Sequence, residues 1–184
     1  TISLPAIDDT QVPRLAFRMQ DIRDDSYVAW HKLDTNEDFG LFVHTFDDLL
    51  PPRRYFEDHP EFFSLLNGNR TPDGQLCLTN PEVFDIVVVE LRARMREKPE
   101  ASFWSVSQND TYCPCECESC RAIDDAEGSR SGSILAFVNR VAEEFPDKTI
   151  STLAYQYSRA APRHIKPRPN VNIMLCSIEC NRSR

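Results

Sequence analysis

One repeating grammar constrains the fold of this chain more than any other feature. A short apolar, β-prone run is followed by a polar cluster and then by a helix-like segment, the pattern of successive β/α units. Six runs qualify as strands, at 15–19, 39–44, 76–78, 103–107, 150–155 and 171–176. Between the third and fourth, Asn80-Pro81-Glu82 precedes Val83, Ile86, Val87 and Leu91, with Arg92, Arg94, Arg96 and Lys98 toward the far end. An N-cap Asn, Pro at the first helical position and positive charge at the C-terminus mark a helix. Between the fourth and fifth, Ile134, Val138, Val141 and Phe145 recur at helical spacing after a Ser/Gly stretch at 128–133, and Pro146 ends the pattern. Residues 24–32 and 60–66 read as shorter helices, and Asn67-Gly68-Asn69 and Pro72-Asp73-Gly74 as turns.

The simplest right-handed closure of such units is a parallel (β/α) TIM barrel, with an open doubly wound sheet as the rival. A complete eight-stranded barrel takes about 250 residues. A chain of 184 residues with six units is therefore expected to be a truncated barrel. Its opening at Thr1 without Met and its stop at Arg184 soon after an apolar run agree with a fragment. No repeat or linker divides residues 1–184, so one domain is expected.

The formal net charge is −8, and the 21 Lys and Arg are scattered, so the footprint that holds phosphate backbones is missing and nucleic acid is not an expected partner. No run approaches the roughly 18 to 20 apolar residues of a membrane span, so no transmembrane segment is expected.

In a β/α barrel the chemistry gathers at the C-terminal ends of the strands. The residues there are Arg18 with Gln20, His44 with Thr45, Thr79 with Asn80, Gln108-Asn109-Asp110, Tyr155 with Gln156, and Glu179. Polar groups arriving at one end of every strand suit a sugar, whose hydroxyls demand many hydrogen bonds. Any one of them is explained as well by a strand leaving the core, and Asn80 is accounted for first as an N-cap. Asp110, flanked by amides, and Glu179, past the sixth strand, are the natural carboxyl pair. A separation of roughly 5 to 5.5 Å would favour retention at the anomeric centre, and roughly 6.5 to 9.5 Å inversion.

Seven Cys is a high count, and four of them crowd into Cys113-Pro114-Cys115-Glu116-Cys117-Glu118-Ser119-Cys120. Cys115, Cys117 and Cys120 would present three thiolates to a structural Zn²⁺, with Cys113 or a residue from elsewhere as the fourth ligand. Disulfides, with Cys176 or Cys180 as partners, are the alternative. Either arrangement ties down the loop beside Asp110. Trp30, Tyr55, Tyr112 and Tyr157 are among the aromatics available to stack on sugars, although most such residues belong to cores.

Several motifs in one order carry a family resemblance: Val43-His44-Thr45-Phe46 with Leu49-Leu50-Pro51-Pro52, Tyr55-Phe56-Glu57-Asp58-His59-Pro60-Glu61, Leu76-Cys77-Leu78-Thr79-Asn80-Pro81, and Ser107-Gln108-Asn109-Asp110 with Cys115-x-Cys117-x-x-Cys120. From about Arg14 onward the chain resembles the domain-of-unknown-function family 4838, which overlaps glycoside hydrolase family 163. The resemblance implies a TIM-barrel glycoside hydrolase, secreted, periplasmic or on the surface of a glycan-degrading bacterium, with a glycan or glycoprotein substrate. It implies endo-β-N-acetylglucosaminidase action on complex N-glycans and no cofactor for catalysis. By analogy with β-N-acetylhexosaminidases, the sugar's own acetamido group would attack. Asp110 and Glu179 would be the catalytic carboxyls, and Arg18, His44, Asn80, Asn109 and Tyr155 the substrate contacts. A non-catalytic glycan-binding barrel and a zinc- or disulfide-stabilised interaction domain are the competing readings.

Overall fold

The computed structural model describes residues 10, 18–19, 24–35 and 37–178. The chain divides into two compact units, Thr1–Asn36 and Glu37–Arg184. In the first, helix α1 (Asp25–His31) starts at Asp24, whose carboxylate accepts from the Tyr27 N–H, and stops at Lys32 in a left-handed conformation. The Arg18 N–H donates to Asp34 at 2.6 Å, and its guanidinium donates to the Lys32 carbonyl at 3.0 Å. Residues 15–17 of the first expected strand lie outside the described residues, and Arg18 and Met19 are not in a strand.

The second unit is built on a parallel sheet of four strands, β1 (Phe39–Leu41), β4 (Phe103–Ser105), β5 (Thr149–Ala154) and β6 (Val171–Leu175), paired in that order. Strand order follows chain order without the reversal of a doubly wound sheet. Among the described residues the sheet is open, so the fold is α/β with a parallel sheet, and the closed barrel read from the sequence is not seen. The third expected strand is also absent. Leu76 makes only an isolated antiparallel bridge to Phe63, because 76–78 runs along the insertion that follows β1 and serves to plug the core.

That insertion holds α2 (Phe46–Leu49), α3 (Pro52–Tyr55), a 3-10 turn (Pro60–Phe62) where a helix was expected, and the hairpin β2 (Leu65–Leu66) and β3 (Asn69–Arg70). Asn67 and Gly68 form its two-residue turn, both with positive φ. This is the type I′ geometry that Asn-Gly favours because it matches strand twist.

Helix α4 (Pro81–Glu97) forms as the sequence predicts. The Asn80 side chain accepts from the N–H groups of Glu82 and Val83, Pro81 opens the first turn, and Val83, Val87, Val88 and Leu91 are buried. Replacing the cap, Asn80→Ala, is expected to cost about 1 kcal/mol. The urea midpoint should fall accordingly; an unchanged midpoint would show that the cap contributes nothing.

Two helices fill the β4 to β5 crossover. The expected one is α6 (Ser131–Glu143), burying Ile134, Phe137, Val138 and Val141. The other, α5 (Glu118–Glu127), escaped the sequence reading because its buried positions are Cys120, Asp124 and Glu127, which leave no apolar stripe. It ends at Gly128, whose φ of 65° supplies the left-handed stop. Trp104, Val106 and Ile150 join Val83, Leu91, Phe137 and Val141 in the main core. Alternate positions of the sheet carry small polar groups instead: Ser105 donates to Ser107 at 2.9 Å, and Asn172 donates to Ser151 at 3.0 Å. Among the described residues, no helix is long and apolar enough to cross a membrane.

Candidate functional site

The chain leaves β1 by a sharp turn. His44 takes φ 55°, uncommon outside glycine, and Thr45 locks the turn onto β4: its Oγ1 donates to the Ser105 carbonyl at 2.9 Å and accepts from the Ser107 N–H at 3.1 Å. His44 Nδ1 lies 2.9 Å from the Gln108 carbonyl. A carbonyl oxygen only accepts, so Nδ1 carries a proton and Nε2 is left for a ligand. The imidazole also meets the Tyr155 ring, with centroids 5.7 Å apart.

Gln108, fully buried, clamps the end of β4 to the end of β5. Its amide donates to the Tyr155 carbonyl at 3.2 Å and accepts from the Ser158 hydroxyl. The 3-10 turn Gln156–Ser158 opens with a second left-handed residue, Gln156 at φ 51°. The Gln156 amide donates to Asp110 at 3.4 Å. Burial raises the Tyr155 hydroxyl above its ordinary pKa, and a hydrogen bond with Asp110 raises it further. His44, Asp110 and Tyr155 are thus brought together at the strand ends, with Asp110 exposed. Two non-glycine residues in left-handed conformation within one cluster are the kind of local strain that functional sites hold.

The remaining site residues fare differently. Asn109 is buried and its side chain is spent inside the protein: Nδ2 donates to Asp47 at 2.7 Å and to the Gly74 carbonyl at 3.0 Å, while Oδ1 accepts from the Asp47 N–H. Gln75 grips its backbone on both sides, with bonds of 2.8 and 3.0 Å. The amides of Gln108 and Asn109 therefore brace neighbouring segments and do not orient Asp110, whose contacts come from Tyr155 and Gln156. Asn80 caps α4, and since 76–78 is not a sheet strand, it does not stand at a strand end. Arg18 belongs to the first unit, where it holds Asp34 and Lys32. Glu179 lies outside the described residues.

Sequence reasoning passed over Asp47. It is exposed as a residue, yet partial burial of its carboxyl holds the pKa above the usual aspartate value, opposed by the bond from Asn109 and reinforced by Asp48 and Asp73. It lines an open cleft of about 1000 Å³.

A second constellation lies in the loop after β4. The sulfurs of Cys77, Cys115, Cys117 and Cys120 all lie within 4.8 Å of one another, with Cys77 and Cys117 at 3.6 Å. Tetrahedral zinc with Zn–S of about 2.3 Å places its sulfurs about 3.8 Å apart, so the cluster fits a metal. No disulfide joins the described cysteines. Cys77 supplies the fourth sulfur from elsewhere that the local spacing left open, and Cys113 stays outside the cluster.

The surroundings suit thiolates. Cys117 caps α5 and Cys120 sits in its first turn, where the helix dipole favours negative charge. The Leu65 N–H points at Cys115 from 3.4 Å, Arg70 lies 3.8 Å from the same sulfur, and the Thr79 hydroxyl is 3.3 Å from Cys120. Donation from Cys115, then from Cys120, holds the Cys77 thiol far below its ordinary pKa. Cys115, though Cys120 donates toward it, is pushed up to about 11 by the Cys77 thiolate and burial. Cys120 is driven higher still by Cys115 and Cys77. Four sulfurs this close ionise together only around a cation.

No curated protein matches the chain. The family model described as Domain of unknown function (DUF4838) matches residues 1–184, and the chain belongs to that family.

Proposed function

We propose that the protein is a glycoside hydrolase of the TIM-barrel type, akin to glycoside hydrolase family 163, acting as an endo-β-N-acetylglucosaminidase on complex N-glycans outside the cytoplasm. The observation that carries this reading is the convergence of His44, Tyr155 and Asp110 at the C-terminal ends of β1, β4 and β5. Parallel strands following one another in chain order support the barrel.

In this reading Asp110, steadied by the Tyr155 hydroxyl and the Gln156 amide, exchanges the proton with the glycosidic oxygen, and His44 Nε2 and Tyr155 hold sugar hydroxyls. Glu179 is the second carboxyl, or the substrate's acetamido group takes its place. Cys77, Cys115, Cys117 and Cys120 hold a structural Zn²⁺. Four thiolates leave no open coordination position, so such an ion supplies rigidity to the loop after β4 and not chemistry.

Release of reducing glycan from complex N-glycoproteins tests the hydrolase. Asp110→Asn should lower kcat by about 10² to 10⁴-fold, the range of a lost acid–base group, with the melting temperature unchanged. Glu179→Gln should do likewise if it is the second carboxyl. A wild-type protein that binds glycans and cleaves none would replace the hydrolase with a glycan-binding barrel.

A further inference from the structure

We propose that the cleft beside Asp47 is a saccharide subsite for a neutral sugar, distinct from the His44, Tyr155 and Asp110 cluster and selecting against acidic sugars. The ligand class rests on the glycan reading above. The cleft, of about 1000 Å³, is lined by Asp47, Arg53, Phe56, Glu57, Asp73 and Asn109 together with three prolines. An aromatic and several prolines offer the flat apolar surface that the C–H face of a pyranose covers, and a few polar groups at the margins suit its hydroxyls.

Asp47 is held for the task. The Asn109 side chain accepts from the Asp47 N–H at 3.1 Å and donates to Oδ1 at 2.7 Å, fixing the residue while leaving Oδ2 to accept from a ligand hydroxyl. Asn109 is itself immobilised by Gln75 and Gly74. The anchor is therefore rigid, as a binding group must be to avoid losing entropy when the ligand arrives. Charge sets the selectivity. Asp47, Glu57 and Asp73 face a single guanidinium, Arg53, so a uronate or sialate meets net repulsion, whereas a neutral hexose or N-acetylhexosamine meets acceptors.

Asn109 and Asp110 are consecutive, and the Asn109 side chain turns to Asp47 while that of Asp110 turns to Tyr155 and Gln156. The subsite thus adjoins the reacting cluster at the end of β4, where a sugar residue neighbouring the scissile bond would lie.

The test is titration of the protein carrying Asp110→Asn, followed by amide NMR, with N,N′-diacetylchitobiose as the neutral probe and the glucuronic acid–N-acetylglucosamine disaccharide as the acidic one. The neutral probe should shift the amides of Asp47, Phe56 and Asn109 and bind more tightly than the acidic one. Adding Asp47→Asn, which preserves shape and removes charge, should weaken it about tenfold, the scale of a charge-assisted hydrogen bond. Arg53→Ala, which removes the one positive charge of the cleft, should widen the difference between the probes by weakening the acidic one more than the neutral. Equal binding of both probes, binding of neither, or a neutral affinity indifferent to Asp47→Asn would overturn the subsite. Hydrolysis by the wild type with KM unaltered by Asp47→Asn would sink the subsite and leave the hydrolase standing. Asp47-dependent binding without any hydrolysis would do the reverse.

Discussion

Chelating the metal proposed for the four-cysteine centre is expected to produce the largest loss of stability available to a mild reagent. The centre joins segments remote in sequence: Cys77 from the insertion, and Cys115, Cys117 and Cys120 from the loop and helix after β4. The Glu116 N–H bonds to the Leu65 carbonyl at 2.8 Å, and Ser64 donates to the Cys113 carbonyl at 2.9 Å, so the same two segments are laced together around the cluster. An ion that binds only the folded form at about 1,000 times its dissociation constant stabilises by about 4 kcal/mol. For a domain of this size, that corresponds to a melting temperature lower by about 8 to 16 °C on chelation.

Cys77→Ser should reproduce the loss and reduce zinc below one ion per chain. Cys113→Ser should leave both quantities unchanged, because its sulfur is not in the cluster. Metal analysis and calorimetry on the three proteins decide the matter. Protein that contains no zinc as purified and melts identically with and without chelator would refute the centre. Because Gln75 bonds to the carbonyls of Asn109 and Thr111, slackness in the insertion should also reach Asp110, so glycan release should decline together with the metal content.

Gly40→Ala should be nearly as damaging, for a reason of space. The register between β1 and β4 slips between Phe39 and Leu41, making Gly40 the extra residue of a bulge. Its φ is unremarkable, so backbone conformation does not demand glycine. A Cβ there would enter the ring of Trp104, which is 1% exposed and tethered by its indole N–H to the Ala101 carbonyl at 3.3 Å. The ring cannot retreat without disturbing the core between sheet and α4. Overpacking of this kind typically costs about 1 to 3 kcal/mol, and the upper end is expected here. Trp104→Phe in the same protein should recover part of it, and a double-mutant cycle with no coupling energy would show that the contact is not the cause.

Both effects show where the reading of the chain stops. Helices α4 and α6 were visible because an amphipathic stripe, a capping Asn, a leading Pro and a terminating Pro are local properties. So was the Asn67-Gly68 turn, and the runs that became β1, β4, β5 and β6 each kept their place. The run at 76–78 misled because Leu76 and Leu78 are apolar for the sake of the core and Cys77 for the sake of the sulfur cluster, which gives strand-like composition without a sheet neighbour. Helix α5 was hidden for the opposite reason: it buries Asp124 and Glu127, whose partners are the Ser133 N–H and the backbone N–H groups of His164 and Ile165, and no hydrophobic period records such bonds.

At the candidate site, the meeting of His44, Asp110 and Tyr155 was legible because parallel β/α units deliver their strand ends to one edge. The fate of Asn109 was not, since nothing in Ser-Gln-Asn-Asp says which side chain will turn to Asp47. By itself, then, the sequence determined the parallel α/β plan, the main helices, the polar strand ends and a loop that gathers Cys115, Cys117 and Cys120. Tertiary structure alone decided that Cys77 completes that set, that Asn109 braces and Asp47 faces the cleft, and that residue 40 has no room for a methyl group. Periodicity and capping act within a few residues, whereas these outcomes depend on which surfaces pack after chain segments tens of residues apart have closed on each other.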